Sequence, residues 1–283
     1  MKSLCIKTNY TQAMQYLLKS FENSALEDTY ISIRNFKHYH NFIVHYKGEK
    51  NTTFYRFLSD TLTQLILKYY EKDIILNQIN LNYFYFHSYE KKQIFENVLA
   101  LLADSANEKK RKHSINNAVF KQLKKSRSFY LQAFISFGLN MYMQFLNTQI
   151  DMAVNKFLID KEYVEFVNIL KLYIKSEVTN SQVEHLHLLY QNKTSTLFDD
   201  EKNKIDCNEN LKKAKYISDI SFSSNDYALN TLLNLVPKKI TVHLVEGYCD
   251  EFIHTLQLIF QEQLEICQEC DICSLYRHKQ IQP

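Results

Sequence analysis

The stretch that decides the C-terminal fold is ITVHLVEGYCDEFIHTLQLIFQEQLEICQECDIC, residues 240–273. Its first part, Ile240 to Val245, is rich in β-branched residues and predicts a strand. Apolar residues from Glu251 to Glu262 recur at helical spacing, and Leu264 to Cys267 predicts a second, short strand. A strand, a helix and a strand in this order indicate two parallel strands joined by a right-handed crossover.

The same stretch ends in a motif of three cysteines, Cys267-Gln-Glu-Cys270-Asp-Ile-Cys273. Two residues between successive thiolates allow a tight knuckle around one tetrahedral metal ion. Parallel strands end at the same edge of a sheet, and the alternation of side chains puts His243 on the face that carries Cys267. We therefore expect His243 to be the fourth ligand, with Cys249 and His278 as alternatives.

Soft thiolate ligands suit either a zinc ion or an iron–sulfur cluster. No redox motif accompanies the cysteines, which favours a structural zinc ion. Three reduced thiols without a metal are the remaining interpretation of the motif. The 6 cysteines of the chain are too few for a small secreted disulfide scaffold, so we expect a cytoplasmic protein with reduced thiols.

The chain before this stretch predicts an α+β protein. Residues 1–50 carry the pattern of a β-α-β-β unit, with one amphipathic helix between Ala13 and Phe21. Apolar residues then recur at steps of three and four from Phe54 to Ile174 without a proline, which predicts a bundle of long helices over 51–178. Residues 179–283 predict a small α/β unit, with a hairpin before the parallel strands.

The composition argues against several enzyme classes. Only 3 of the 283 residues are glycine, and they are too scattered for a dinucleotide-binding loop, a P-loop or a nucleophile elbow. The 10 histidines include none in an H-E-x-x-H zinc motif, and no catalytic residue can be assigned from spacing. No stretch reaches the roughly 18 apolar residues that a membrane span needs, so no span is expected.

A second candidate site is a basic stretch over residues 109–127. Its cations are Lys109, Lys110, Arg111, Lys112, Lys121, Lys124, Lys125 and Arg127. Such a concentration of positive charge can contact phosphates or an acidic partner. The formal net charge of the chain is +3 and no nucleic-acid-binding motif accompanies the stretch, so a solvated helix face is the simpler interpretation.

Two segments of the chain follow a known family pattern. The first runs from Phe134 to Phe166, and the second from Pro237 to His243, followed by the cysteine motif. They resemble the YtxC-like sporulation family of endospore-forming bacteria. The chain has Gly138 where the family pattern has arginine, and ECDIC at 269–273 where the pattern has GCELC. The resemblance implies a cytoplasmic, sporulation-associated protein, and it implies no biochemical activity.

These observations together favour a non-enzymatic accessory protein that binds a protein partner. One alternative is a nucleic-acid-binding regulatory protein that uses residues 109–127, which would show salt-dependent binding to DNA or RNA. The other alternative is a metal- or cluster-dependent enzyme. That alternative requires an open coordination position beside a cleft with acids or histidines.

Overall fold

The computed structural model describes residues 2–24, 26, 28–49, 51–205 and 223–278. The chain divides into two compact units, Met1–Ile159 and Asp160–Pro283, each with a hydrophobic core of its own. The boundary between the units lies within one long helix. The division of the chain into the three regions 1–50, 51–178 and 179–283 stays a prediction from the sequence.

The first unit begins with the predicted β-α-β-β arrangement. Strand β1 (Lys2–Thr8) is followed by helix α1 (Thr11–Glu22), strand β2 (Thr29–Asn35) and strand β3 (His40–Tyr46). Both β1 and β2 pair antiparallel with β3. The side chains that these elements bury include Leu4, Ile6, Leu17, Phe21, Phe42 and Val44. The alternation of buried and less buried residues in β1 and β3 explains why the sequence predicts both strands.

A further strand, β4 (Ser128–Tyr130), lies parallel to β1 at one edge of this sheet. The sequence predicts only long helices over 51–178, so this strand was not expected. Three residues with one buried side chain, Phe129, are too few to show a period of two. The pairing also uses the backbone next to the strand, where the N–H of Cys5 donates to the carbonyl of Arg127 at 2.9 Å.

The helices that follow confirm the prediction of long helices in the middle of the chain. They are α2 (Asn51–Tyr69), α3 (Glu71–Asn82), α4 (Ser88–Leu102), α5 (Ser105–Lys125), α6 (Leu131–Phe137) and α7 (Asn140–Glu177). The predicted stripe of α2 is buried, including Leu58, Leu62 and Leu65. Within the described ranges, no helix combines the length and the apolar character needed to cross a membrane.

The second unit contains the predicted parallel strands. Strands β5 (His185–Gln191) and β6 (Thr194–Phe198) form a hairpin, and strands β7 (Lys239–Leu244) and β8 (Leu264–Cys267) continue the sheet in the order β6-β5-β7-β8. β7 is parallel to both β5 and β8. Besides the part of α7 that follows Ile159, the described helices of this unit are α8 (Ser224–Leu235), α9 (Glu251–Phe260) and α10 (Asp271–His278). The predicted strand-helix-strand is therefore confirmed as β7-α9-β8.

The two faces of this C-terminal sheet differ in chemistry. One face is apolar and joins the core formed with α8 and α9, which contains Leu186, Leu188, Ile240, Val242, Leu232, Ile253 and Leu256. The residues between these positions on the strands point to the opposite face because side chains alternate. That face carries His185, His187, Thr241, His243 and Cys267. The fold thereby collects histidine and cysteine side chains, which are able to bind metal ions, on one side of the sheet.

Candidate metal centre

His243 and Cys267 are neighbours in the sheet. They are directly paired in the parallel register of β7 and β8, which places both near the C-terminal ends of their strands. His243 is buried and Cys267 is half-buried. The alternation of side chains predicts that these two residues project from the same face, and the register of β7 and β8 has that arrangement.

The other two cysteines are positioned by the turn after β8 and by the start of α10. Cys270 directly precedes α10, and its sulfur accepts hydrogen bonds from the backbone N–H groups of Cys273 and Ile272. Arg277 holds this segment in place, because its side chain donates to the carbonyls of Gln268 at 2.9 Å and of Val245 at 3.2 Å. The loop after β7 and the cysteine turn are thus tied to the same helix.

The donor atoms of these four residues surround one point. His243 Nδ1 lies 3.2 Å from Cys270 Sγ and 3.6 Å from Cys273 Sγ. Cys273 Sγ lies 3.7 Å from Cys270 Sγ and 4.0 Å from Cys267 Sγ. Around a tetrahedral ion with ordinary zinc bond lengths, sulfurs lie about 3.8 Å apart and nitrogen lies about 3.6 Å from each sulfur. The four side chains can therefore hold a metal ion.

Near pH 7 the imidazole of this site is ready to bind a cation, whereas the Cys273 thiol must first lose its proton. Burial and the neighbouring His187 and His185 lower the pKa of His243 to about 4, so its imidazole is neutral near pH 7. Burial and the hydrogen bond with Cys270 raise the pKa of Cys273 to about 12. Burial acts to raise the pKa of Cys270, but hydrogen bonds from the Cys273 N–H and the Cys267 thiol outweigh it and lower this pKa. A divalent cation would offset the repulsion among the thiolates and release protons on binding.

A group that the sequence did not single out lies beside these four side chains. His187 Nδ1 is 3.0 Å from His243 Nε2, on the side of the ring away from the sulfurs. Asp200 follows β6, and its Oδ1 lies 2.9 Å from His185 Nδ1 and 3.8 Å from His187 Nε2. The available signal was the H-x-H spacing of His185 and His187, because residues two apart on a strand share one face. The position of Asp200 had no such signal.

The sequence leaves Cys249 and His278 as alternative fourth ligands. Cys249 is exposed and does not belong to either potential metal-binding group found among the described residues. The side chain of His278 lies outside the described residues.

The predicted basic stretch lies on α5 and just after it. Lys109, Lys110, Lys121, Lys124, Lys125 and Arg127 are exposed. Lys112 pairs with Glu108 one turn earlier on the same helix. Arg111 points inward, and its guanidinium bonds to the buried carboxylate of Glu71 at 2.5 Å. Arg111 therefore contributes to the packing of the first unit. The exposed cations remain a predicted partner-binding surface.

The model of the YtxC-like family matches residues 56–265. The chain belongs to the YtxC-like family. This match confirms the resemblance; its matched segment contains His243 and ends two residues before Cys267.

A relative shows the same relationship over most of the chain. The uncharacterized protein YtxC of Bacillus subtilis (strain 168) is 21% identical over 224 residues, which cover 75% of this chain and 76% of that protein. No solved structure matches the chain.

Proposed function

We propose that this YtxC-like protein is a cytoplasmic, sporulation-associated accessory protein whose C-terminal unit binds one structural zinc ion. The ligands are Cys267, Cys270, Cys273 and His243. The observation that carries the proposal is that one donor atom from each of these residues lies within 4.8 Å of the others. The location and the link to sporulation rest on the family resemblance.

Zinc is favoured over an iron–sulfur cluster by the spacing of the donor atoms. The distances between sulfurs, 3.7 Å and 4.0 Å, match those around a single tetrahedral ion. A cluster distributes its cysteines over several iron atoms and spreads the sulfurs farther apart. One histidine and three thiolates also complete a common structural zinc set.

A structural role follows from the number of ligands. Catalytic zinc sites usually keep one position open for water or substrate, whereas four protein ligands fill the tetrahedron. In this unit the ion would join the end of β8 and the start of α10 to the buried His243 of β7. Ion binding would therefore stabilise the folded C-terminal unit, which supports a non-enzymatic role for the site.

Binding of a protein partner is supported by exposed side chains in two helices. The exposed lysines of α5 are suited to an acidic partner surface. Helix α7 exposes Phe166, Ile169 and Leu172, each by more than half of its surface. Exposed apolar patches of this kind mark contact sites in soluble proteins.

The zinc site is tested by metal analysis and thermal melting of protein purified without oxygen. We expect one zinc per chain and no iron–sulfur absorption. Chelation, or the double substitution Cys267→Ser and Cys270→Ser, should lower the melting temperature by roughly 10 °C, because loss of a tight ligand removes several kcal/mol.

The matched control is Cys249→Ser, which changes an exposed cysteine of the same unit and should leave the melting curve unchanged. A protein without metal, whose melting temperature responds neither to chelation nor to the double substitution, would contain three ordinary thiols. That result would refute the zinc site.

A further inference from the structure

The His185, His187 and Asp200 side chains form a compact set of donor atoms beside the cysteine site. One nitrogen from each histidine and one carboxylate oxygen lie within 4.8 Å of one another. Both histidines are half-buried on β5, and Asp200 is exposed where the chain leaves β6. Strands β5 and β6 form a hairpin, and its antiparallel pairing brings Asp200, just after β6, back to the two histidines of β5.

Two imidazoles and one carboxylate are a donor set that binds first-row divalent metal ions and leaves further positions for water. His185 is oriented for this role, since its Nε2 lies 2.8 Å from Thr241 Oγ1 and its Nδ1 faces Asp200. A hydrogen bond of this kind to the second nitrogen is the usual support of a metal-binding histidine. His187 also lines a cavity of about 250 Å³ together with Phe198, Lys202 and Leu275.

The hydrogen bond between His187 Nδ1 and His243 Nε2 links this set to the cysteine site. A neutral imidazole carries one proton, on one of its two nitrogens. When His243 binds an ion through Nδ1, its proton is on Nε2 and is donated to His187 Nδ1. The proton of His187 is then on Nε2, the atom that faces Asp200, and this atom cannot bind a second ion.

An ion that binds first at His187 weakens ion binding at His243 for the same reason. When His187 binds an ion through Nε2, its proton is on Nδ1 and points at His243 Nε2. If both ions are bound, two N–H groups face each other across 3.0 Å in place of one hydrogen bond. Loss of the outer partner of a metal-binding histidine typically weakens metal binding about 10–100-fold.

We propose that His185, His187 and Asp200 form a second site for a divalent transition-metal ion, and that each site weakens the other. The existence of the second site does not depend on the proposed zinc site, whereas the antagonism rests on it. Lys202 lies at the same cavity, so the second site should be the weaker of the two.

Cobalt(II) titration of the full chain without oxygen tests both statements, because cobalt bound to thiolate gives an intense charge-transfer band and cobalt bound to imidazole and carboxylate does not. The wild type should saturate this band at one equivalent and then bind a second ion weakly. In a variant with Cys267, Cys270 and Cys273 all changed to serine, one ion should bind without the band. That ion should bind about 10–100-fold more tightly than the second ion of the wild type.

Asp200→Asn supplies the decisive comparison in the wild-type background. It should remove the second equivalent and leave the charge-transfer band intact, whereas Glu201→Gln, a neighbouring exposed acid outside the donor set, should retain both equivalents. This comparison decides the second site even if circular dichroism shows that the triple serine variant does not fold.

The possible failures can be told apart. A second equivalent that survives Asp200→Asn, or no second equivalent in the wild type and none in a folded triple serine variant, overturns the second site. A folded triple serine variant that binds its ion no more tightly than the wild type binds its second ion overturns the antagonism. A wild type without the charge-transfer band contradicts the zinc site and the antagonism that rests on it, and the Asp200→Asn comparison then still decides the second site.

Discussion

Glu71 is an acid held almost completely inside the first unit. Arg111 bonds to one of its carboxylate oxygens at 2.5 Å, and the hydroxyl of Tyr142 donates to the other at 3.0 Å. Burial and the negative charge of Glu71 raise the pKa of Tyr142, so its hydroxyl stays protonated and remains a donor. The three side chains join the starts of α3 and α7 to the first half of α5.

Removing the acid should leave a charged guanidinium without its partner. We predict that Glu71→Ala lowers the free energy of unfolding by about 3–5 kcal/mol, the usual cost of breaking a buried ion pair on one side. Urea denaturation followed by circular dichroism measures this change. Glu96→Ala, at an exposed position of α4, is the control and should shift the free energy by about 0.5 kcal/mol or less. Equal effects of the two substitutions would show that the Glu71 pair contributes little.

Helix α8 begins with a capping box formed by Ser223 and Asp226. The side chain of Ser223 accepts the N–H of Asp226 at 3.2 Å, and the Asp226 carboxylate accepts the N–H of Ser223 at 2.8 Å. These bonds satisfy backbone donors at the start of a helix that packs Ala228 and Leu232 into the core of the second unit.

Because a serine cap satisfies a donor that alanine cannot, we predict that Ser223→Ala lowers the free energy of unfolding by about 1 kcal/mol. Ser223→Gly is the matched comparison, since glycine at this position costs only a few tenths of a kcal/mol relative to serine. Chemical denaturation of the three proteins provides the measurement. If the alanine and glycine variants unfolded alike, the cap would not be the source of the stabilisation.

The elements of the C-terminal unit show which features of the fold can be predicted from the periodicity of the sequence. The β-branched run of β7, the spacing of α9 and the alternation in β8 specify local structure, and a short crossover permits one handedness. These features were enough to predict the position of His243 beside Cys267. The pairing of β5 with the other edge of β7 involves strands more than 40 residues apart, and no local pattern specifies such a pairing.

The position of Asp200 is a second feature that could not be predicted from the sequence. Its position is set by the loop after β6, where Asp199 accepts the N–H of Asn203 at 2.8 Å and Lys202 has a positive φ of 64°. Such turns depend on individual hydrogen bonds and backbone angles and not on a repeating pattern. The two histidines were visible in the sequence as members of a strand, but the acid that completes their donor set was not.

At the scale of the whole molecule, each unit has its own core, and the proposed zinc ligands all belong to Asp160–Pro283. Proteins open locally in cooperative segments, each with its own free energy of opening. An ion stabilises only the segments whose opening destroys its site. The two units should therefore respond differently when the metal is removed.

Hydrogen exchange of the full chain with and without a chelator measures this difference. We predict that chelation speeds the exchange of backbone amides in β7, β8 and α10 by about 100-fold or more, since an ion at 100 times its dissociation constant contributes about 2.7 kcal/mol. Amides of β1, β3 and α2 should keep their exchange rates, because the first unit buries its own core around Leu58, Leu62 and Phe42. The variant carrying Cys267→Ser and Cys270→Ser should exchange like the chelated wild type and respond no further to the chelator. An equal acceleration in both units would mean that they open as one, and no acceleration in β7 and β8 would mean that no ion holds them together.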